Sequence, residues 1–562
     1  MEEQFELEPA NPVHMTTSPG VRWTTVNYSE AIQGVQKPLG WAIWNLSMET
    51  CNRIAFGRLG IFPRSQVPVP ENADERISGI FFGRAAGNIN TFRLIGDLMP
   101  GSSGDILEEK LFGKEPPVGG HTGKPLSARR RYPLVAAGMT REALRTPKLL
   151  PPMRAAYREW WQTSVLDAPP QSLEQARALY RDAAQHFIDV GVLHTTATLL
   201  ASALLDSLSD LADAALGDRA VAMELATGYG GMEETELIED ICAAADGRID
   251  LAGVVRRHGY HGPAEGELSS HTWREDPAPL ESMIEQYKRN SVASPSAREE
   301  RQAERRRAAE ARVLSALPAL KRPGARLTMR IAGRYIPLRE VGKAAFLHAL
   351  DAARCAARVG GEELARTGVL ADRSDVFFLT GEEFLGEQSG DLQALVEERK
   401  QRYERYQLLT LPPEWSGPAV PVLIDEPVAE FAGDLAGSAL DDAGSPEAAR
   451  QTPRSGEWEL QGVGVVGERV TGRARVVHDP LDADLEPGDI LVCATTDPSW
   501  TPLFMVVDAL VIDTGGAMSH GAIVARELGV TCVINTVTGT RDIPDGATLT
   551  VDGSSGRVLV SP

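Results

Sequence analysis

Residues 514–529 read Thr-Gly-Gly-Ala-Met-Ser-His-Gly-Ala-Ile-Val-Ala-Arg-Glu-Leu-Gly, and they carry the clearest structural pattern in the chain. An apolar run ends at Ile512 just before them, which predicts a strand, and the paired glycines predict a tight turn. Ser519 is a good candidate for the N-cap of a helix, and Gly529 is of a type that ends helices. The stretch therefore predicts strand, turn and helix, with His520 in the first turn of the helix.

The predicted position of His520 suits a histidine that handles an anion. Unpaired backbone N–H groups and the positive end of the helix dipole favour negative charge at the start of a helix. Gly515, Gly516 and Gly521 leave room for a bulky group beside the ring. A neutral imidazole is a nucleophile and can form a covalent intermediate. A histidine at a helix start is more often a cap or a surface residue, so the spacing alone leaves both interpretations open.

The rest of the last hundred residues has a β-rich pattern. Short runs of apolar and β-branched residues alternate with turn residues, which predicts a small domain with one or two helices. The predicted strands are 463–470, 472–478, 489–493, 509–512, 530–534, 548–551 and 557–560.

The middle of the chain is helical in pattern. Residues 172–216 and 344–364 have apolar side chains at spacings of three and four, and Gly360-Gly361 falls near the end of the second segment. Between 411 and 457, Pro, Gly, Ser, Ala and Asp dominate, which predicts a flexible linker. The predicted fold class is α+β multidomain, with a largely helical region at 1–410, the linker at 411–457 and the small domain at 458–562.

Charge and cysteine content argue against several classes of protein. The 562 residues hold 57 Lys and Arg against 78 Asp and Glu, a net charge of −21, which disfavours a nucleic-acid-binding surface. The N-terminus is acidic, unlike a secretory signal, and no uninterrupted apolar run approaches the length of a membrane span. The five cysteines are far apart and form no CxxC pair. We therefore expect a cytoplasmic protein with no membrane or nucleic-acid partner.

The 514–529 stretch resembles the phosphohistidine motif of the phosphoenolpyruvate-utilising enzymes, which include phosphoenolpyruvate synthase, pyruvate phosphate dikinase and rifampicin phosphotransferase. The resemblance covers most of the chain, and only the final hundred residues match closely. The other stretches that carry it are 497–503 beside the motif and, less tightly and towards the rifampicin phosphotransferases, 23–30, 259–267, 273–277 and 375–380.

The resemblance implies that residues 458–562 form a swivelling β/β/α domain. In that family the matching histidine, here His520, carries a phosphoryl group between two distant active sites. The resemblance also implies phosphate-binding residues around His520 and a loop that lines the acceptor pocket. These residues are Gly515, Gly516, Ser519 and Arg526 for the phosphate, and His261 and Glu265 for the loop.

Residues 339–343, Arg-Glu-Val-Gly-Lys, resemble an Arg-Glu-x-x-Lys element that lines the acceptor site in rifampicin phosphotransferases. Arg339 and Lys343 can neutralise a transferring phosphoryl group, and Glu340 can take a proton from an attacking hydroxyl. The alternative is a surface charge pair one helical turn apart. We favour the catalytic interpretation, because the element falls at the expected place before Asp375.

Three histidines, His258, His261 and His271, lie close in sequence to Glu265 and Glu267. Their spacing matches none of the recognised zinc patterns, and the glycines among them predict a loop that lines a pocket. We therefore predict no metal site.

Family members that use ATP directly carry an ATP-grasp module, whereas this sequence begins almost at the acceptor-binding region. It stops at Pro562, before the point where a phosphoenolpyruvate-binding barrel would follow. We therefore expect no stably bound cofactor. ATP and Mg²⁺ are expected to act through a separate ATP-grasp protein, an organisation similar to that of phenylphosphate synthase.

The sequence thus predicts a phosphotransferase component that carries a phosphoryl group on His520 to a hydroxyl of a small-molecule acceptor. One alternative is a dehydratase, a lyase that phosphorylates a substrate hydroxyl and then expels phosphate. Another is a non-catalytic binding protein. The identities of the acceptor and of the phosphoryl donor stay open, as does the oligomeric state.

Overall fold

The computed structural model describes most of the chain, and the chain divides into two compact units. The first unit comprises Met1–Val422 with Asp497–Ser499, and the second comprises Leu423–Thr496 with Trp500–Pro562. The α+β multidomain class predicted from the sequence is confirmed. The described residues are 11–26, 28, 32–99, 102–112, 126–219, 221–230, 233–290, 295–386, 390–423, 456–480, 483–516 and 519–561.

The first unit is built mainly from helices. In chain order these are α1 Pro38–Arg58, α2 Ile89–Leu98, α3 Gly104–Phe112, α4 Leu126–Trp161, α5 Leu173–Leu216, α6 Val221–Ala226, α7 Glu233–Ala245, α8 Leu251–His258, α9 Ala278–Asn290, α10 Pro295–Ala316, α11 Arg322–Tyr335, α12 Leu338–Arg366, α13 Gly381–Leu385 and α14 Leu392–Gln407.

Helix α5 is the longest element, with 44 residues, and it lies at the centre of the first unit. The Ser172 hydroxyl caps its start by accepting a hydrogen bond from the Gln175 amide at 3.3 Å, and Gly217 ends it with φ +67°. Its apolar side chains, spaced three and four apart, pack against α1, α4 and α12. The helix predicted over 172–216 is confirmed.

Helix α5 also has the length and composition of a membrane span, although the sequence analysis expected none. The expectation was based on the lack of an unbroken apolar run. In α5 a few polar residues interrupt the apolar ones along the whole helix, so no such run is seen although the mean hydropathy is high. Buried core helices of water-soluble proteins meet the same criterion, and α5 packs against three other helices. The finding is therefore weak evidence for a membrane.

Helix α12 is longer than the predicted segment 344–364, and the Gly360-Gly361 pair does not end it. A Cβ on Gly360 would lie 2.4 Å from the Phe384 ring, and one on Gly361 would lie 2.2 Å from the carbonyl oxygen of Arg373. The two glycines therefore allow close packing of α12 on the segments that follow it, rather than terminating the helix.

A four-stranded sheet completes the first unit and corrects the start of the predicted linker. Its strands are ordered β2 (Ser78–Phe81), β3 (Arg84–Asn88), β1 (Arg22–Thr24) and β5 (Glu414–Ser416), and all pairs are antiparallel. Residues 414–416 were predicted as linker, but they pair with β1 instead. A further pair joins β4 (Leu409–Thr410) to β6 (Val422–Leu423). Residues 424–455, most of the predicted linker, lie outside the described residues.

The second unit is an eight-stranded sheet with two helices. The strand order is β7-β14-β13-β9-β10-β11-β12-β8, in which β9 to β12 run parallel and the other pairs are antiparallel. The elements are β7 Trp458–Gln461, β8 Val463–Val466, β9 Arg469–Val476, β10 Asp489–Cys493, β11 Ala509–Ile512, α15 His520–Leu528, β12 Thr531–Ile534, α16 Gly539–Asp542, β13 Thr548–Asp552 and β14 Arg557–Ser561.

Five of the seven predicted strands are found within one residue of their predicted ends, and the first two are wrong. The predicted strand 463–470 is two strands, because the chain leaves β8 at Val466 and starts β9 at Arg469. β8 pairs with β12, whereas β9 lies between β13 and β10. Gly467 makes the break with φ +97°, where a Cβ would lie 2.6 Å from the Cα of Thr531.

A pair of glycine variants tests the packing role of Gly361. Gly361→Ala places a methyl group against a backbone carbonyl, and we expect it to lower the free energy of unfolding by about 1–3 kcal/mol. Gly324→Ala is the control, because Gly324 lies in α11 with nothing within 4 Å of an added Cβ. It is expected to raise stability by up to about 1 kcal/mol. Urea denaturation followed by tryptophan fluorescence measures both, and equal effects would contradict this account.

Candidate active site

His520 is the first residue of α15 and stands at one edge of the eight-stranded sheet. The chain leaves β11 at Ile512, passes through the loop 513–519, and returns through α15 to β12, which is parallel to β11. Since parallel strands end at the same edge, the turns after β10, β11 and β12 gather there, as does the start of α15. The side chain of His520 is half-buried. The predicted strand, turn and helix are confirmed, although Ala517 and Met518 lie outside the described residues.

Ser519 occupies the N-cap position of α15, but its hydroxyl accepts no hydrogen bond from the first turn of that helix. Its amide donates to the Gly516 carbonyl at 2.9 Å, and its carbonyl accepts from the Ile523 amide at 3.0 Å. The hydroxyl faces Gly515, where an added Cβ would lie 2.9 Å from the Ser519 Oγ at a backbone φ of +147°. Gly515 and Gly516 therefore shape the turn that precedes His520.

Gly521 brings the first turn of α15 close to the sheet. A Cβ at this position would lie 2.6 Å from the Thr496 hydroxyl and 2.7 Å from the Cδ1 of Ile512. A larger residue would push the start of the helix, and His520 with it, away from the strand ends.

Asp513, the residue that follows β11, is a buried carboxylate that the sequence analysis missed. Its Oδ1 accepts hydrogen bonds from the Thr536 hydroxyl at 2.8 Å and from the Gly539 amide at 2.5 Å, and its Oδ2 accepts one from the Thr540 amide at 2.9 Å. These bonds tie the loop after β11 to the loop after β12. The sequence signal was an aspartate directly between an apolar strand and a glycine pair.

Arg526 is in the last turn of α15, six residues after His520, which is about 9 Å along the helix axis between the two backbone positions. It is buried near Cys532, whose thiol has its pKa raised to about 12 mainly by burial. A phosphate-binding role for Arg526 stays a prediction.

In the first unit, the predicted acceptor element lies at the start of α12. The Arg339 Nε is 3.5 Å from the Glu340 carboxylate, and the Lys343 Nζ is 3.4 Å from the Oε1 of Glu234 on α7. Burial opposes the charge on Lys343. The carboxylates of Glu234, Glu340 and Glu265 outweigh that effect and raise the pKa of Lys343 above its ordinary value. The lysine therefore stays cationic with about a quarter of its side chain exposed.

His261 and Glu265 belong to the same cluster of charged residues as Lys343, Glu340 and Glu234. The Nδ1 of His261 lies 2.5 Å from the Oε1 of Glu265, and both side chains are buried. Since Glu265 acts electrostatically on Lys343, the predicted loop residues and the predicted α12 residues come together. The structure adds Glu233 and Glu234 at the start of α7. Nothing in the sequence around them signalled this role.

Glu233 is paired on both of its oxygens. Its Oε1 accepts from the Tyr260 hydroxyl and its Oε2 from Arg154 on α4. Burial opposes ionisation, but Arg154 and His261 outweigh it and hold the pKa of Glu233 below its ordinary value. His258, which ends α8, pairs its Nε2 with the Oδ2 of Asp240 at 2.8 Å. His271 belongs to the same loop region and is exposed.

Gly342 sets the spacing between α12 and α5 at this cluster. A Cβ on Gly342 would lie 2.6 Å from the Nδ1 of His194 on α5. Burial lowers the pKa of His194 to about 4, and the nearby charges of Arg339 and Lys343 act in the same direction. The neutral ring can therefore pack beside two cations.

A buried ionic network holds the loop 259–276 against α12. The Asp351 carboxylate accepts hydrogen bonds from the Trp161 indole at 2.8 Å, from Arg274 at 3.2 Å and from Arg354 at 3.1 Å. Arg354 also donates to the carbonyls of Leu268 at 3.2 Å and Glu265 at 3.1 Å. The backbone on either side of the candidate loop residues is thereby fixed to the helix that carries Lys343.

Removing the charge of Asp351 is expected to destabilise the first unit. Asp351→Ala leaves two buried guanidinium groups without their shared carboxylate, which typically costs about 3–5 kcal/mol. The matched control is Asp210→Ala, because Asp210 pairs with Arg219 on the surface and its side chain is 73% exposed. We expect that change to leave the unfolding free energy nearly unchanged. Urea denaturation checks both variants, and a small loss at Asp351 would contradict the network's role.

The stability of the first unit should fall on mild acidification, partly through His348. Burial lowers the pKa of this ring to about 3, so the folded protein keeps it neutral. The unfolded chain binds a proton near pH 6.5, so between pH 6.5 and pH 3 each pH unit of acidification costs up to about 1.4 kcal/mol at this residue.

His348→Gln removes this contribution, and its unfolding free energy should therefore fall less steeply with decreasing pH. Urea denaturation from pH 7.5 to pH 5 measures the slope for both proteins. At pH 7.5 both side chains are neutral, so the difference there serves as the internal reference. Parallel curves below pH 6.5 would contradict the assignment.

Comparison with known families gives two matches. The family described as "PEP-utilising enzyme, mobile domain" matches residues 485–556, which include His520. The rifampicin phosphotransferase fourth domain matches residues 191–340, a range that includes α7, the loop 259–276 and the first three residues of α12 and that ends before Lys343.

Individual relatives are similar over part of their length. Rifampicin phosphotransferase of Streptomyces sviceus is 33% identical over 344 residues, which is 59% of this chain and 36% of the relative. That of Streptomyces sp is 34% identical over 342 residues, 58% of this chain and 36% of the relative. That of Bacillus subtilis is 34% identical over 202 residues, 35% of this chain and 20% of the relative.

This chain thus spans about a third or less of the length of these curated relatives. Both family matches agree with the resemblance expected from the motifs at 514–529 and 339–343. Residues 485–556 are therefore similar to the mobile domain of phosphoenolpyruvate-utilising enzymes, and residues 191–340 are similar to the fourth domain of rifampicin phosphotransferases.

Proposed function

We propose that this chain is a phosphotransferase component that carries a phosphoryl group on His520 and delivers it to a hydroxyl of a small molecule held by the first unit. The observation that carries the proposal is the position of His520. It begins α15 at the carboxyl edge of a parallel sheet, within the residues that match the mobile domain.

The start of α15 suits a histidine that bears a phosphoryl group. A ring nitrogen attacks the phosphorus of the donor, the bond from phosphorus to the donor's leaving group breaks, and a phosphoramidate forms on the ring. The amides of the first turn have no partners within the helix and, with the helix dipole, favour the negative charge of that group. Gly515 and Gly516 contribute no side chains to the turn before His520.

The charged cluster at the start of α12 suits the step in which the acceptor receives the phosphoryl group. The acceptor oxygen attacks the phosphorus, the nitrogen–phosphorus bond breaks, and the imidazole leaves. Lys343 stays cationic among three carboxylates and, with Arg339, can stabilise the charge on the phosphoryl group. Glu340, or Glu265 beside it in the cluster, is proposed to accept the proton that the acceptor hydroxyl loses. Delivery requires the second unit to move relative to the first.

The donor is proposed to be ATP with Mg²⁺, acting through a separate ATP-grasp protein. This part of the proposal is supported by the family resemblance alone. Because the relatives are rifampicin phosphotransferases, rifampicin is the first acceptor to try, together with other compounds that carry an accessible hydroxyl.

Phosphorylation of His520 can be tested without the natural donor. Phosphoramidate, a chemical donor of phosphoryl groups to imidazole, should give an acid-labile gain of one phosphoryl group by intact-protein mass spectrometry. His520→Ala should abolish this gain. His478→Ala is the control in the same unit, because His478 is exposed and lies two residues after the end of β9. An unchanged gain in His520→Ala would sink the proposal.

The role of Lys343 can be tested by following loss of the phosphoryl group from phosphorylated protein after acceptor is added. Lys343→Met should slow acceptor-dependent loss by about 100-fold, the usual effect of removing one charge-stabilising donor. The control is Lys288→Met, because Lys288 is 45% exposed on α9. Equal rates for the two variants would argue against the acceptor site. The mass of the released product separates simple transfer from dehydration.

A further inference from the structure

Three buried side chains of the first unit converge on one point. Glu233 at the start of α7, His258 at the end of α8 and His261 in the following loop each offer one ligand atom. These three atoms all lie within 4.8 Å of one another, and the residues are 6%, 0% and 2% exposed.

Each imidazole in the trio has one nitrogen in use and one available. His258 engages Asp240 through Nε2, which leaves its Nδ1 at 4.0 Å from the Oε1 of Glu233. His261 engages Glu265 through Nδ1, which leaves its Nε2. Among the described residues, neither of these remaining nitrogens has a hydrogen-bond partner, and both are shielded from solvent.

Two buried ring nitrogens without hydrogen-bond partners in the described part of the chain therefore lie close together, which is unusual in a folded protein. A buried polar atom without a partner is energetically unfavourable, and most such atoms are satisfied by protein, water or an ion. Imidazoles that bind a metal characteristically present one nitrogen to the ion and the other to a carboxylate, which fixes the orientation of the ring. Both histidines show this arrangement, with Asp240 and Glu265 as the orienting carboxylates.

The geometry points to a divalent transition-metal site, of the Zn²⁺ class, formed by Glu233, His258 and His261. Two imidazoles and one carboxylate are a common set of three protein ligands for zinc, with the remaining position open to water or substrate. The sequence analysis predicted no metal because the ligands follow no standard spacing. One of them, Glu233, is 25 residues before His258 and comes from another helix.

The ligand atoms are slightly further apart than a bound ion requires. Zinc bonds to nitrogen and oxygen are about 2.0–2.2 Å long, so tetrahedral ligand atoms lie about 3.4 Å from one another. Small side-chain rotations close the 4.0 Å gap between His258 and Glu233. Arg154 holds the Oε2 of Glu233, which leaves Oε1, now bonded to the Tyr260 hydroxyl, to face the histidines.

The site deepens the proposed function, because Glu265 belongs both to the metal's outer shell and to the cluster around Lys343. An ion here would hold an acceptor hydroxyl at its open position and lower the pKa of that hydroxyl. The role in transfer rests on the proposed function. Metal binding itself requires neither His520 nor a phosphoryl donor. The proposed metal site and the proposed phosphotransfer function can therefore fail separately.

The test is metal binding by the full chain after treatment with a chelator. Titration calorimetry with ZnCl₂ and elemental analysis should find one equivalent. Co²⁺ should give visible absorption typical of nitrogen and oxygen ligands, without a thiolate charge-transfer band. His261→Gln should weaken binding at least tenfold, and Asp240→Asn should weaken it about 10- to 100-fold through loss of ring orientation.

Two control variants should keep the full equivalent. His271→Gln changes an exposed histidine of the same loop, and His520→Ala changes the second unit. Circular dichroism and thermal unfolding of the metal-free variants verify that each is folded. His258→Gln serves as a second ligand variant. Absence of binding in the unmodified chain, full binding in both His261→Gln and His258→Gln, loss in His271→Gln, or a thiolate band would each overturn the proposal.

Discussion

One buried carboxylate, that of Asp351, holds the first unit in the form that its candidate site requires. Two guanidinium groups and an indole satisfy it, so a charge that would otherwise be costly to bury is fully paired. Arg354 also donates hydrogen bonds from its other N–H groups to carbonyls of the loop that carries His261 and Glu265. Because Lys343 lies on the same helix as Asp351, about two turns earlier, the network sets the position of that loop relative to the lysine.

The two units position their functional groups by different physical means. His520 is placed by backbone geometry, through a parallel sheet edge, a glycine turn and the close approach of Gly521 to Thr496. Few charged groups take part in that placement, which suits the carrier role proposed for this histidine. The cluster of the first unit is placed by paired charges on four separate elements, among them Arg154 and Glu233. That arrangement is stiff, which suits a site that must orient a substrate.

The sequence predicted what depends on neighbours along the chain and missed what depends on distant packing. The strand, turn and helix around His520 follow from local signals, and they were found. Gly360 was read as a helix end because its contact with Phe384 is not visible in sequence. The strand break at Gly467 was missed for the same reason, because Gly467 packs against Thr531 on β12, which is distant in sequence. Glu233 was missed because only the fold brings it to the histidines.

The contact between Gly342 and His194 has an evolutionary consequence. The absence of a side chain at 342 allows α5 and α12 to approach, and the ring at 194 fills the space that remains. Neither residue can enlarge alone without moving Arg339 and Lys343. Among related chains the two positions should therefore change together, with a bulkier residue at 342 accompanied by a smaller one at 194. Such paired exchanges offer lineages a route to reshape the acceptor pocket while keeping every charged residue in it.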